Sequence, residues 1–266
     1  MRSILSYYIH SLDPIALRLG DFWLPWYWLV YIFGFFYVYW ASLRLIRGHK
    51  LDFSKNNLID LLLISWLSMI VGARLFYILF YNLSYFVENP SEAWQIWNGG
   101  MSFHGGLIGG VIGLAIACRL KKKSFIRLCD VFAVSVPLVL GFGRIANFIN
   151  GELAGRPSTL PWAVVFPKFY DQIPRHPSQL YQALLEGFLL FLILMSQRDQ
   201  LKTPSRLSAM FLVLYGSLRF MAEFFRNPDP QISFIFTHFT MGQILCFGMI
   251  LAGIALHLYY KKFQRT

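Results

Sequence analysis

Charge is scarce in these 266 residues: 14% are Asp, Glu, Lys or Arg, and 56% are apolar. A water-exposed domain carries roughly 25% charged residues, so this chain has too little polar surface to cover a soluble globule. The same apolar excess excludes a disordered or collagen-like chain. Cysteine is rare as well. Cys118, Cys129 and Cys246 form no CxxC pair and no Cys/His cluster, and each falls in or beside an apolar stretch. That argues against a disulfide scaffold and a zinc site and leaves three small buried apolar groups. No fixed-period repeat or low-complexity tract interrupts the chain. Residues 1–20 have no continuous apolar core, because Asp13, Pro14 and Arg18 break it. No cleavable signal peptide is therefore expected, and the first span has to direct insertion itself.

Apolar length is what the chain does have. Runs able to cross a bilayer, which takes ~20 residues, lie at about 22–42, 58–80, 101–118, 128–145, 179–197, 207–225 and 238–259. They predict an all-α integral membrane protein, a single domain over 1–266 with seven transmembrane helices. The connections sort by charge: Arg44, Arg47, Lys50 and Lys55 follow the first span, and Arg119, Lys121, Lys122, Lys123 and Arg127 the third. Arg198, Lys202 and Arg206 follow the fifth, and Lys261, Lys262 and Arg265 the seventh. The connection Tyr81–Gly100 has no basic residue and carries Glu88 and Glu92. The positive-inside rule then puts the N-terminus outside and the C-terminus in the cytoplasm, as an odd number of spans requires. The net charge of +11 is thereby a topology signal, and no nucleic acid partner is needed to explain it.

Residues 144–178, between spans four and five, read as a small external loop domain rich in Gly and Pro. They carry Arg144, Arg156, Lys168 and Arg175 on the side where the positive-inside rule disfavours cations. A second external loop, Arg226 to Pro230, follows Glu223 directly. Phosphate headgroups or an anionic substrate would account for external cations.

Ionisable groups inside spans cost ~2.5–3.5 kcal/mol each even on the lenient insertion scale, so they are functional candidates by default. At ~1.5 Å of rise per residue, Tyr27, Arg74, His104, Arg144, Glu186, Arg219 and Glu223 all fall near the outer ends of their spans. That layering predicts a polar cavity open to the outside. In the segment GFGRIANFINGELAG, Arg144, Asn147 and Asn150 recur every three residues, with Glu152 beyond an Asn-Gly turn. They either hold a ligand with many oxygens, such as a phosphoglycerol headgroup, or simply cap the helix and fix the loop. Gly105, Gly109 and Gly113 share one face, the small-xxx-small spacing that lets helices pack closely in lipid. His104 beside them is a structural group or a proton acceptor. Arg219, Glu223 and Arg226 share a face of the sixth span, where Arg219 and Glu223 neutralise each other or serve a ligand together.

With these residues in place, the chain resembles the bacterial prolipoprotein diacylglyceryl transferases over essentially its whole length. The family pattern G-R-x-[GA]-N-F-x-N-x-E-x-x-G stands here as Gly143 to Gly155. The blocks GGMSFHGG, RHPSQLYQ, YGSLRFMAEFFRNPD and MGQIL follow in family order. Two departures stand out: the first span reads Pro25-Trp26-Tyr27-Trp28-Leu29 where the family usually has HWYGL, and the arm from Pro157 to Arg175 is short.

The resemblance implies seven spans in the bacterial inner membrane and a site facing the outer leaflet. It implies transfer of the diacylglyceryl group of phosphatidylglycerol to the lipobox cysteine of a preprolipoprotein signal peptide, with glycerol 1-phosphate released and a thioether formed. It also implies roles. Arg144 with Asn147 and Asn150 binds the headgroup, Arg219 oriented by Glu223 meets the departing phosphate, and His104 is the base. Tyr27, Arg74, Glu152, Gly155, Tyr215 and Arg226 complete the substrate shell. No cofactor and no metal are expected, since no His and carboxylates are spaced as ligands. A solute transporter would want polar groups through the inner half of the spans, and a retinal protein a Lys within the seventh. Here the identifiable polar cluster stops in the outer half, and Lys261 and Lys262 lie beyond the end of the seventh span.

Overall fold

The computed structural model describes residues 7–168, 170–227, 234–235 and 239–263. Residues 1–6 and the Pro228–Pro230 part of the second predicted external loop lie outside them. In chain order the elements are β1 (Tyr8–Ile9), β2 (Ile15–Leu19), β3 (Phe22–Pro25), α1 (Trp26–Gly48), α2 (Lys55–Tyr81), α3 (Leu83–Glu88), α4 (Phe103–Leu120) and α5 (Phe125–Asn150). Then come β4 (Val164–Val165), α6 (Ser178–Gln182), a π-helical stretch (Ala183–Leu189), α7 (Leu190–Ser196), α8 (Arg206–Glu223), β5 (Phe234–Ile235), β6 (Phe239–Thr240) and α9 (Met241–Phe263).

Among the described residues, five helices are long and apolar enough to cross a membrane: Trp26–Gly48, Lys55–Tyr81, Phe125–Asn150, Ser178–Ser196 and Met241–Lys262. The other two predicted spans are helical too. One is α4, which is apolar but shorter; the other is α8, whose 18 residues include Arg206, Arg219 and Glu223. One boundary moves. The loop expected from residue 144 starts only at Gly151, because α5 continues through Asn150 and ends where Gly151 takes a φ of +76°. Arg144, Asn147 and Asn150 therefore stand on a rigid helix.

The chain divides into two compact units, Ile46–Leu128 and the flanking stretches Met1–Leu45 with Cys129–Thr266. In the first, α2 and α4 start at serine caps: Asn57 N–H donates to Ser54 Oγ at 3.1 Å and Gly105 N–H to Ser102 Oγ at 3.3 Å. The two helices touch through glycine, as the small-xxx-small spacing predicts. A Cβ placed on Gly72 would sit 2.5 Å from the Gly105 carbonyl oxygen, and one on Gly109 would sit 2.4 Å from the Ser68 carbonyl oxygen. Backbone cannot yield there, so Gly109→Leu should separate the helices and cost at least ~1–3 kcal/mol, read as a lower thermal midpoint in detergent. An unchanged midpoint would contradict the packing.

In the second unit, Asp130 on α5 is fully buried and accepts from Ser205 N–H (2.7 Å), Ser208 N–H (2.8 Å) and Ser208 Oγ–H (2.7 Å). A carboxylate from one helix thus caps the N-terminus of α8, where the orphan amides and the helix dipole favour an anion. This ties the α8 start to α5. The segment after α5 has its own small core of Ala154, Val164 and Phe166, flanked by Phe148 and Tyr170. β1 pairs in parallel with β4, and the His10 ring rests 5.4 Å from Phe148 and 5.2 Å from Phe166. Burial pushes the His10 imidazole below its ordinary pKa, which favours the neutral ring in this apolar setting.

Candidate active site

The site begins with a close approach of two backbones. A Cβ on Gly187 would lie 2.3 Å from the Gly141 Cα, so α5 and the π-helical stretch meet where neither has a side chain. One turn along α5 from Gly141 stands Arg144, and next to Gly187 stands Glu186. The contact brings them together: Arg144 Nη2 is 3.5 Å from Glu186 Oε2. The π turn widens the helix locally, a distortion that recurs at functional sites because it re-aims side chains.

Glu186 is 1% exposed, and its other oxygen lies 3.5 Å from Arg219 Nη1 on α8. Arg219 Nη2 in turn lies 2.8 Å from Glu223 Oε2, and Arg226 Nη1 lies 3.9 Å from that same oxygen. The result is a string of alternating charge, Arg144–Glu186–Arg219–Glu223–Arg226, with three cations and two anions. Its outer guanidinium is under-committed. Among the described residues, Arg144 has that one long ion pair and keeps part of its side chain exposed, although a guanidinium carries five donors in a fork suited to phosphate. Tyr215 lies one turn before Arg219 on the same helix.

Asn147 and Asn150 are held differently from the expected headgroup grip. Their Nδ2 groups donate to Glu152 Oε1 at 2.7 and 3.3 Å, and the Oδ1 of Asn150 is buried with no protein partner. Gln179, fully buried at the start of α6, donates to the Glu152 carbonyl at 2.6 Å, and Ser178 Oγ donates to the Leu153 carbonyl at 3.0 Å. The loop of the signature is thereby fixed to the RHPSQLYQ block. Gly155 is where three backbones converge. Its N–H donates to the His176 carbonyl at 2.9 Å, and a Cβ there would lie 2.4 Å from the Phe225 carbonyl oxygen and 2.7 Å from that of His176. Gly155→Ala should accordingly force this junction apart and lower activity far more than it lowers the amount of membrane-inserted protein. Activity per molecule matching the parent would contradict this role.

The remaining candidates lie as follows. Tyr27 opens α1, and its hydroxyl is 3.3 Å from that of Tyr31, which is within electrostatic range of Arg144 and Glu152. Arg74 and His104 belong to the other unit. Arg74 is buried, and its guanidinium donates to five carbonyls, those of Glu92 (2.8 Å), Ala93 (2.8 Å), Gln95 (3.3 Å), Gly99 (2.6 Å) and Gly100 (3.0 Å). All five acceptors are loop backbone. His104 is exposed in the first turn of α4. In the segment after α5, hydrogen bonds from Arg175 hold the Asp171 carboxyl below its ordinary pKa, and burial lowers that of His176. Among the described residues, no three His, Cys, Asp or Glu side chains are grouped to hold a metal.

Sequence reasoning gave no site role to Gln179, Tyr31 or Thr240 and placed Glu186 only in the outer layer of ionisable groups. The signals available were a lone Glu in an apolar run and a Thr-x-x-Gln capping pattern ahead of α9.

The site is thus a string of alternating charge in a helical membrane protein, with donors to spare on Arg144 at one end. Sequence comparison is more specific. The family described as prolipoprotein diacylglyceryl transferase matches residues 14–259. The chain is 44% identical over 253 residues to the phosphatidylglycerol–prolipoprotein diacylglyceryl transferase of Bordetella parapertussis, covering 95% of this chain and 97% of the relative. It is 44% identical to that of Desulfotalea psychrophila, covering 95% of each, and 45% identical to that of Coxiella burnetii, covering 98% and 100%. The chain belongs to the prolipoprotein diacylglyceryl transferase family.

Proposed function

We propose that this protein transfers the sn-1,2-diacylglyceryl group of phosphatidylglycerol to the lipobox cysteine of preprolipoproteins, releasing glycerol 1-phosphate. The observation that carries the reading is the Arg144–Glu186–Arg219–Glu223–Arg226 string with spare donors on Arg144. In the reaction, sulfur forms a bond to the terminal glyceryl carbon while the bond from that carbon to the phosphate oxygen breaks. The electron pair leaves with the phosphate monoester, and the thiol proton goes to a base. Arg144 and Arg219 bind the phosphate and stabilise the charge that builds on it as the ester bond breaks. Their field also lowers the pKa of an incoming thiol, ordinarily ~8.5, and so raises the thiolate fraction.

The glycerol hydroxyls of the headgroup are donors and need acceptors, which Glu152 and the unpartnered Asn150 Oδ1 supply. Asn147 orients Glu152, and Tyr27, Gly155, Tyr215 and Arg226 complete the shell. His104 takes the thiol proton. Arg74 serves by fixing the connection that follows α2. The setting is the bacterial inner membrane, with seven spans, the N-terminus outside and the site open to the outer leaflet, where the lipid and the translocated signal peptide meet. The basic residues that follow the first, third, fifth and seventh spans support that orientation.

The test is direct. Purified protein in phosphatidylglycerol vesicles should add a diacylglyceryl mass to a lipobox peptide and leave a Cys→Ser peptide unchanged. No gain on the cysteine peptide would overturn the reading. His104→Gln should lower the rate ~10²–10⁴-fold, the range of a general base, and steepen its rise with pH. Near-normal turnover would remove His104 from the mechanism.

A further inference from the structure

The block MGQIL has no role in the mechanism above, yet it opens α9 against Glu223. Three contacts build the junction. Thr240 Oγ1 donates to Glu223 Oε1 at 3.1 Å and accepts from the Gln243 N–H at 3.2 Å, while Gln243 Oε1 accepts from the Thr240 N–H at 3.1 Å. The last two form a reciprocal capping box. Gly242 lies between them, and a Cβ there would be 2.7 Å from Glu223 Oε1 and 2.8 Å from its carboxyl carbon. Thr240, Gln243 and Glu223 are all buried. A carboxylate beside the first turn of a 23-residue helix also gains from the positive end of the dipole.

Resting on the proposed transfer, we infer that Thr240, Gly242 and Gln243 are positioning residues, a seat at the start of α9 that fixes the Glu223 carboxylate and through it the Arg219 guanidinium. Glu223 Oε1 faces Thr240 and Oε2 faces Arg219, so the two oxygens act as a lever between the cap and the leaving-group site. Without the hydroxyl, the carboxylate is free to rotate and Arg219 loses its register. Because Arg219 acts as the phosphate departs, the loss belongs in kcat.

The experiment uses the full-length protein in phosphatidylglycerol vesicles with a lipobox peptide, comparing Thr240→Val, Thr240→Ser and Gly242→Ala, and Thr240→Val again on a Glu223→Gln background. Thr240→Val and Gly242→Ala should lower kcat at least tenfold with the KM for lipid within about twofold, since a hydrogen bond to a charged group is worth roughly that factor or more. Thr240→Ser should restore most of the rate. On the Glu223→Gln background, Thr240→Val should add little, the mark of two residues acting as one unit. A Thr240→Val enzyme as active as an active parent, or one whose loss is undiminished on the Glu223→Gln background, overturns the inference and leaves the functional reading intact. A purely structural role would lower the amount of folded protein and leave kcat per folded molecule unchanged, which also overturns it. A parent that transfers nothing overturns the functional reading, and this assignment with it.

Discussion

Arg144→Ala should lower diacylglyceryl transfer at least ~100-fold while leaving the protein folded, because one donor aimed at developing charge is worth ~10²–10³ in rate. The separation of the two effects comes from the geometry. Arg144 contributes one ion pair at 3.5 Å, and Glu186 keeps Arg219 as a partner when Arg144 is gone. Stability therefore changes less than at Glu186, since the carboxylate keeps a guanidinium partner. The lysine variant is informative as well. An ammonium restores the charge but not the two-pronged fork, so Arg144→Lys should recover only part of the rate. Initial rates of peptide lipidation at saturating lipid, set beside thermal midpoints, check both halves. Activity of Arg144→Ala within threefold of the parent would remove it from the site.

Glu186→Ala should have the opposite profile, a large loss of stability. Glu186 is 1% exposed and stands between two guanidiniums. Deleting one member of a buried charge network leaves the others uncompensated, a loss of ~3–5 kcal/mol. Glu186→Gln keeps the shape and one acceptor oxygen, so it should accumulate better than the alanine variant but still transfer slowly, its arginines no longer held at phosphate spacing. Yield of folded protein and the unfolding midpoint decide the matter. An alanine variant as stable as the parent would mean that the two arginines find other partners.

Apolar length made the helices legible, and each predicted span coincides with a helix to within a few residues. The misplaced start of the loop at residue 144 has a simple cause. The polar residues Arg144, Asn147 and Asn150 run into a Gly- and Pro-rich stretch, but their recurrence every three positions is helical, and α5 carries them to Asn150 with Glu152 accepting from both amides beyond the turn. The Arg219–Glu223 pair was readable because i and i+4 face one another. Glu186 was visible as a charge in an apolar run, but its two partners depend on the Gly141–Gly187 approach and a π turn, neither of which leaves a local pattern. The partners of Arg74 left no trace in the sequence, because the carbonyls it meets are backbone and every residue has one. Asp130, a buried charge in the fourth span, drew no attention for a related reason. Its partners are the amides and hydroxyl of a helix start 75 residues away.

The most direct check is a structure of the protein in a lipid disc with phosphatidylglycerol bound. The headgroup phosphate should lie between Arg144 and Arg219, with its oxygens ~2.7–2.9 Å from nitrogens of both guanidiniums. A phosphate seated elsewhere, with Arg144 and Arg219 still paired only to Glu186 and Glu223, would contradict the account.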